Sequence, residues 1–307
     1  MNYNLALILA KIEGSYGVDS VPTAGSNAIL TEDLTVEPIS EDITRNYVRS
    51  FYGTRDKIIN PTGWSVKFKT ELKGSGTAST PPEYGVLFRA ANYTQTISTY
   101  VDYDPNSAFD TAESCTIYAY RDGILHKILG CRCVSWKISM KAGKPAYIDW
   151  ELQGTWATPI DGSMGSPTYS TTVPPRLISA SFTIDSYAGI VDGIDVESKQ
   201  GVSLRTSANA ATGVLGRNVS TRDVTGKIDP EVVTLATKNF WTTWEASTRV
   251  AFTATLGASA GNRLIITAPK VQYDKMSYAN RNDYLVYGIG MNFTPNAGND
   301  ELKLRFS

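Results

Sequence analysis

Tyr147-Ile-Asp-Trp-Glu-Leu-Gln-Gly-Thr-Trp156 alternates apolar and polar residues, with Ile148, Trp150, Leu152 and Trp156 on one side and Asp149, Glu151, Gln153 and Thr155 on the other. A period of two marks a β-strand with one buried face. The same period runs through Val66-Lys-Phe-Lys-Thr-Glu-Leu-Lys73, where Lys67, Lys69, Glu71 and Lys73 share the polar side. Between these stretches, Asp122-Gly123 separates Cys115-Thr-Ile-Tyr-Ala-Tyr120 from a run starting at Ile124, and Asp-Gly favours the tight turn of a hairpin. Helical signals are few. One starts at Pro82-Glu83 and extends to about Ala91, and a second runs from Pro230-Glu231 to about Glu245; proline and an early acid suit a helix start.

The chain has 307 residues, 42% hydrophobic and 19% charged, enough for packed cores in about two domains. Its net charge of -1, from 29 basic and 30 acidic residues, argues against a surface built to grip nucleic acid or anionic lipid. The apolar run at residues 5–10 is too short to span a bilayer and lacks a basic segment before it, so neither a transmembrane helix nor a secretory signal is expected. The three cysteines, Cys115, Cys131 and Cys133, make no disulfide framework. With His126 they lack the Cys-x2-Cys spacing of a zinc site, and they read as buried thiols.

Internal repetition is the most informative pattern. Moved 137 positions along, Val134 falls on Val271, Trp136 on Tyr273, Tyr147 on Tyr284, Trp150 on Tyr287, Leu152 on Ile289 and Trp156 on Phe293. Moved 148 positions, Leu34-Thr-Val-Glu37 falls on Phe182-Thr-Ile-Asp185, Pro82-Glu83 on Pro230-Glu231 and Leu87 on Leu235. Glu71-Leu72-x-Gly74 matches Asp223-Val224-x-Gly226 after a small shift. The expected organisation is a first domain at residues 1–158, a Gly-, Ser-, Thr- and Pro-rich linker at 159–175, and a second domain at 176–307. Each half would hold an early strand, a long loop, a strand, a helix, a hairpin and a long last strand. The fold class is mainly β with one helix per half. Small sheets of this kind have open edges that invite pairing with other chains, and closing several of them into one ring removes those edges.

Leu9-Ala-Lys-Ile-Glu-Gly-Ser-Tyr-Gly-Val-Asp-Ser-Val-Pro-Thr23, followed by Ser26, Asn27, Ala28, Ile29 and Leu30, resembles the opening of siphophage tail tube proteins. Tyr284-Leu-Val-Tyr-Gly-Ile-Gly-Met-Asn-Phe-Thr-Pro295 resembles the last strand of such domains. The resemblance covers nearly the whole chain. It implies two tandem tube-like half-barrel domains that join into a ring-shaped β-barrel. It implies a homotrimeric ring of pseudo-sixfold symmetry, stacked into a virion tail and assembled in the host cytoplasm. Double-stranded DNA would pass through the lumen without specific binding, and other tail proteins would meet the tube ends. It carries no cofactor and no active-site motif.

Within that frame the candidate lumen-facing residues are Lys67, Lys69, Glu71, Lys73, Asp149, Glu151 and Gln153, with Thr155, and in the second half Val286, Gly288, Gly290 and Asn292. Three lysines are an awkward lining for a DNA conduit, since each neutralised phosphate adds affinity. Either Asp149 and Glu151 cancel them across strands, or that face is the outside of the tube. Candidate ring–ring contacts are Tyr47, Phe51 and Tyr52, in a long polar loop at 39–61, with Trp64 just beyond it. Its counterpart, about residues 186–217, is a Gly-, Ser- and Ala-rich loop with only Tyr187. Residues 1–16 and 300–307 are candidate tethers. With one histidine, and no Gly-x-Ser-x-Gly, His-Glu-x-x-His or phosphate loop, an enzyme is not expected. The competing reading is a tandem β-sandwich module at the tail tip that binds a host receptor or glycan.

Overall fold

A computed structural model of the chain describes all residues except Met1, Tyr3 and Asp110. The elements of the first half are β1 (Ala6–Ile12), α1 (Ala24–Asn27), β2 (Ala28–Ile29), β3 (Glu32–Ser40), β4 (Ile43–Thr44), β5 (Lys57–Ile58), β6 (Pro61–Glu71), α2 (Gly85–Ala90), β7 (Tyr93–Ile97), β8 (Val101–Pro105), β9 (Cys115–Arg121), β10 (Ile124–Lys141) and β11 (Tyr147–Gly154). There follow β12 (Ile160–Asp161), β13 (Thr183–Ile184), β14 (Gly193–Thr206), β15 (Val214–Ile228), α3 (Phe240–Glu245), β16 (Arg249–Leu256), β17 (Leu264–Arg281), β18 (Tyr284–Phe293) and β19 (Lys303–Phe306). The fold is mainly β, as expected.

The alternation quoted above sets the packing. In β11, Ile148, Trp150 and Leu152 are buried, and Trp150 donates its indole N–H to Thr70 Oγ1 at 2.9 Å. β6 lies beside it with Trp150 opposite Phe68 and Leu152 opposite Val66. The helices are too short to persist alone and are held by packing. Phe88 of α2 meets Trp150 at 4.9 Å, Tyr103 at 5.0 Å and Trp136 at 5.4 Å between ring centroids. Phe240 of α3 meets Tyr287 at 5.5 Å and Tyr187 at 5.9 Å. One continuous core runs through both halves.

The strand order repeats. In the first half β3 pairs with β6, β6 with β11, β11 with β10, β10 with β9 and β9 with β1, all antiparallel. In the second, β14 pairs with β15, β15 with β18, β18 with β17, β17 with β16 and β16 with β13. The two orders coincide step for step. β12 also returns to β10 as β19 returns to β17. The halves join where β10 pairs with β14, Lys137 opposite Glu197 and Ser139 opposite Asp195. Among the described residues the pairings form an open, branched series with no closed circuit.

Several expectations are corrected. Pro230-Glu231 does not start a helix. Tyr287 N–H donates to Pro230 O at 2.9 Å and Val232 N–H to Leu285 O at 3.0 Å, so the segment is extended against β18. α3 starts ten residues later, where the Asn239 side chain accepts from Thr242 N–H at 3.1 Å. The 137-residue match is not a match of pairing: Trp136 faces Trp150, whereas Tyr273 faces Met291 and Tyr287 faces Tyr278. A five-residue loop closes the first hairpin, and only Asn282 and Asp283, both at positive φ, close the second. Leu34 lies in β3 and Phe182 beside β13, which hold different places in the order. Residues 186–217 are no loose loop; most belong to the β14–β15 hairpin. Neither expected tether is free. β1 is buried against β9, and β19 lies between β17 and β8, where Asp102 accepts from Arg305 Nε and Nη2 at 2.8 and 2.9 Å. Met1 and Tyr3 of the first tether lie outside the described residues.

Candidate functional site: a charge-balanced sheet face and an exposed arm

The polar residues that alternate with the core residues gather on one face of the sheet. Directly opposite one another across five neighbouring strands stand Glu32 of β3, Lys69 of β6, Asp149 of β11, Lys137 of β10 and Glu197 of β14. Signs alternate along the whole row. In the next row Lys67 lies opposite Glu151, and Lys199 opposite Asp223. Ion pairs join Lys67 to Glu151 at 3.4 Å, Lys69 to Asp33 at 2.8 Å, Lys137 to Asp195 at 3.2 Å and Lys199 to Glu197 at 3.3 Å. The hydrogen bond that Lys69 donates to Asp33 raises its ammonium above the ordinary pKa. Exposed pairs of this kind contribute little stability. Their effect is to leave the face without a net positive field.

The face differs from the expected set in detail. Lys67, Lys69, Glu71, Asp149, Glu151 and Gln153 lie on it. Lys73 does not: it follows the end of β6, is 3% exposed, and its ammonium bonds Glu71 at 3.1 Å. Gly288, Gly290 and Asn292 alternate with buried Tyr287, Ile289 and Met291, but Val286 is itself buried. Lys137, Asp195, Glu197 and Lys199 were missed. The alternation Ile194-Asp-Val-Glu-Ser-Lys-Gln200 would have revealed three of them.

The face is bounded by two open edges. Among the described residues β3 pairs with β6 alone, and residues 276–281 of β17 pair with β18 alone. The corresponding parts of β14 and β10 are paired on both sides.

The second feature is the arm, residues 41–60, which links β3 to β6. β4 and β5 pair at its base. Further out, Arg45 and the Tyr47 hydroxyl both donate to Asp56, at 2.6 and 2.7 Å, and Arg49 lies over the rings of Tyr47 and Phe51. The tip is therefore organised, yet Val48 is 97% and Phe51 66% exposed, and Tyr52 is fully exposed. Trp64 is not part of this surface. It is buried, stacked on Trp156 at 4.6 Å, and donates to Ala157 O. His126 packs edge-on against Trp64, and Cys115 lies opposite Cys131 with all three thiols buried.

An apolar arm and an open, charge-balanced sheet are features of a protein that assembles with itself. The sequence matches the family model of phage tail tube proteins over residues 4–301. The chain belongs to the phage tail tube protein family. No relative is found among curated proteins. Membership in the tail tube family makes this chain a structural, self-assembling component of the virion tail. No helix among the described residues is long and apolar enough to cross a membrane.

Proposed function

We propose that this chain is a duplicated tube subunit whose copies close head to tail into a homotrimeric ring of pseudo-sixfold symmetry. The rings stack into the tube of a siphophage tail, assembled in the host cytoplasm. Other tail proteins meet the tube ends, and genomic DNA is ejected through the lumen. The halves are residues 1–158 and 176–307, with the linker at 159–175.

The observation that carries this reading is the repeated strand order combined with the pattern of edges. Inside the chain, the first half offers β10 to β14 of the second. The second half offers the outer part of β17, and the first offers β3, neither paired with a further strand among the described residues. A contact repeated head to tail closes a ring when its rotation allows. The lumen is then lined by the charge-balanced face, four strands from each half. Cross-strand pairing answers the awkwardness of Lys67 and Lys69, because phosphate finds a carboxylate beside each ammonium.

Electron microscopy of the purified protein, with its mass by light scattering, tests the reading. Rings or tubes with three copies per ring are expected. A monodisperse monomer at every concentration and salt would overturn it.

A further inference from the structure

We propose that Trp241 and Trp244 of α3, with Tyr278 of β17 and Leu285 of β18, form an apolar contact between copies, covered by the first half of the neighbouring chain on the core side of the sheet. This rests on the ring reading above. Three positions apart, the two tryptophans share one side of α3, while Phe240 turns into the core. Trp241 lies 5.5 Å from the Tyr278 ring and 6.1 Å from that of Trp244, and the Trp244 indole donates to Asp274 O at 3.1 Å. Leu285 and Tyr287 alternate onto the same side of β18. The cluster is thus fixed in place, yet Trp244 is 42%, Leu285 54% and Tyr278 56% exposed. It lies at the outer part of β17, beside the edge that no further strand covers among the described residues.

The first half shows what covers such a place. Trp136 of β10 faces Trp150 as Tyr278 faces Tyr287, and Phe88 of α2 meets Trp150 as Phe240 of α3 meets Tyr287. Trp136 is nevertheless fully buried. β14 of the other half runs beside it, with Ser198 opposite. The chain after α2 then crosses that seam. The Tyr93 ring lies 5.7 Å from Trp136, its hydroxyl donates to Ser198 Oγ at 3.0 Å, and Arg222 of β15 sits over it at 5.9 Å. In the second half only Ala246, Ser247 and Thr248 separate α3 from β16, so no crossing segment follows the helix. The two tryptophans stand in its place. The strand that β14 supplies inside the chain is supplied in the ring by β3. Val36 of β3 is half-buried, whereas Ile194 and Val196 of β14 are fully buried. Apolar surface is therefore left on both sides, and a second copy is the occupant that repeats the seam the chain already builds. Tryptophan and tyrosine at such a contact carry a large share of its energy.

Hydroxyl-radical footprinting read by mass spectrometry tests this on the full chain, compared as dilute monomer, isolated rings and stacked tubes. Tyr278 and Trp244 should be oxidised in the monomer and protected already in isolated rings. Equal oxidation in monomer and rings, or protection confined to stacked tubes, would overturn the proposal and leave the ring reading standing. The variant Tyr278→Ser gives a second measurement. The side chain is exposed, so circular dichroism should not change, and the concentration at which rings form should rise about tenfold or more. An unchanged threshold would also overturn the proposal. If the natural sequence forms no rings, the ring reading itself fails and takes this inference with it.

Discussion

Two buried tryptophans face each other across β10 and β11 and differ in the fate of one atom. The Trp150 indole N–H bonds Thr70 Oγ1, whereas the Trp136 Nε1 is buried with no partner among the described residues. Replacing Trp150 by Phe loses ring volume and also orphans a buried hydroxyl, an additional cost of about 1–3 kcal/mol. Urea denaturation should therefore show Trp150→Phe less stable than Trp136→Phe by about that amount, and equal losses would contradict the assignment. His126 makes a prediction of pH dependence. Burial, and then the charge of Arg121, hold its pKa below the ordinary value. The folded chain thus prefers the neutral ring, while the unfolded chain takes up a proton near pH ~6.5. Its contribution to stability is fully present above that pH and is lost as pH falls toward the lower folded pKa. The decrease in melting temperature between pH 7.5 and 5.5 should be smaller in His126→Phe than in the natural sequence.

At the scale of elements, the decisive contact in the proposed ring is between two strand edges. β3 is acidic at Glu32, Asp33 and Glu37, and Pro38 suits a strand with one side unpaired. The outer part of β17 carries Lys275 and Arg281. When the β10–β14 register is carried over through the repeated strand order, Ser277 of one copy falls close to the irregularity at Glu32 and Asp33 of the next in the proposed ring. Asp33→Cys and Ser277→Cys in the same chain should give covalent oligomers between copies on mild oxidation, read on a non-reducing gel. Neither single variant should do so, and the natural cysteines are buried and should not interfere. Absence of the cross-link in assembled tubes would remove this pair of edges from the ring.

For the whole molecule, what matters is the net field of the sheet face. Asp149 and Glu151 neutralise the lysines opposite them, so the natural tube should bind duplex DNA weakly at physiological salt. Asp149→Asn with Glu151→Gln leaves Lys67 and Lys69 less opposed. Filter binding at low salt should then show a gain in affinity that disappears steeply as salt rises. An unchanged affinity in assembled tubes would mean that this face does not line the lumen.

Much of this was legible in the sequence because alternation along a strand is local. The period of two at residues 147–156 and 66–73 identifies strands and separates core from polar face, and Asp122-Gly123 fixes its hairpin through backbone preference alone. Aromatic and aliphatic spacing also hinted at two similar halves. What lay opposite each strand was not legible, since pairing joins residues far apart and depends on loop lengths that spacing hides. The match across residues 134–158 therefore carried no information on how the second hairpin pairs, and Pro230-Glu231 looked like a helix start until β18 claimed it. Lys73 and Trp64 passed for surface residues because burial at a strand end is decided by neighbours from elsewhere in the chain. The sequence by itself determined the mainly β class, the two faces of β6 and β11, and the family. Only the tertiary structure decided which charges meet, which edges remain open and which apolar side chains are left for a partner, because each of these depends on long-range pairing.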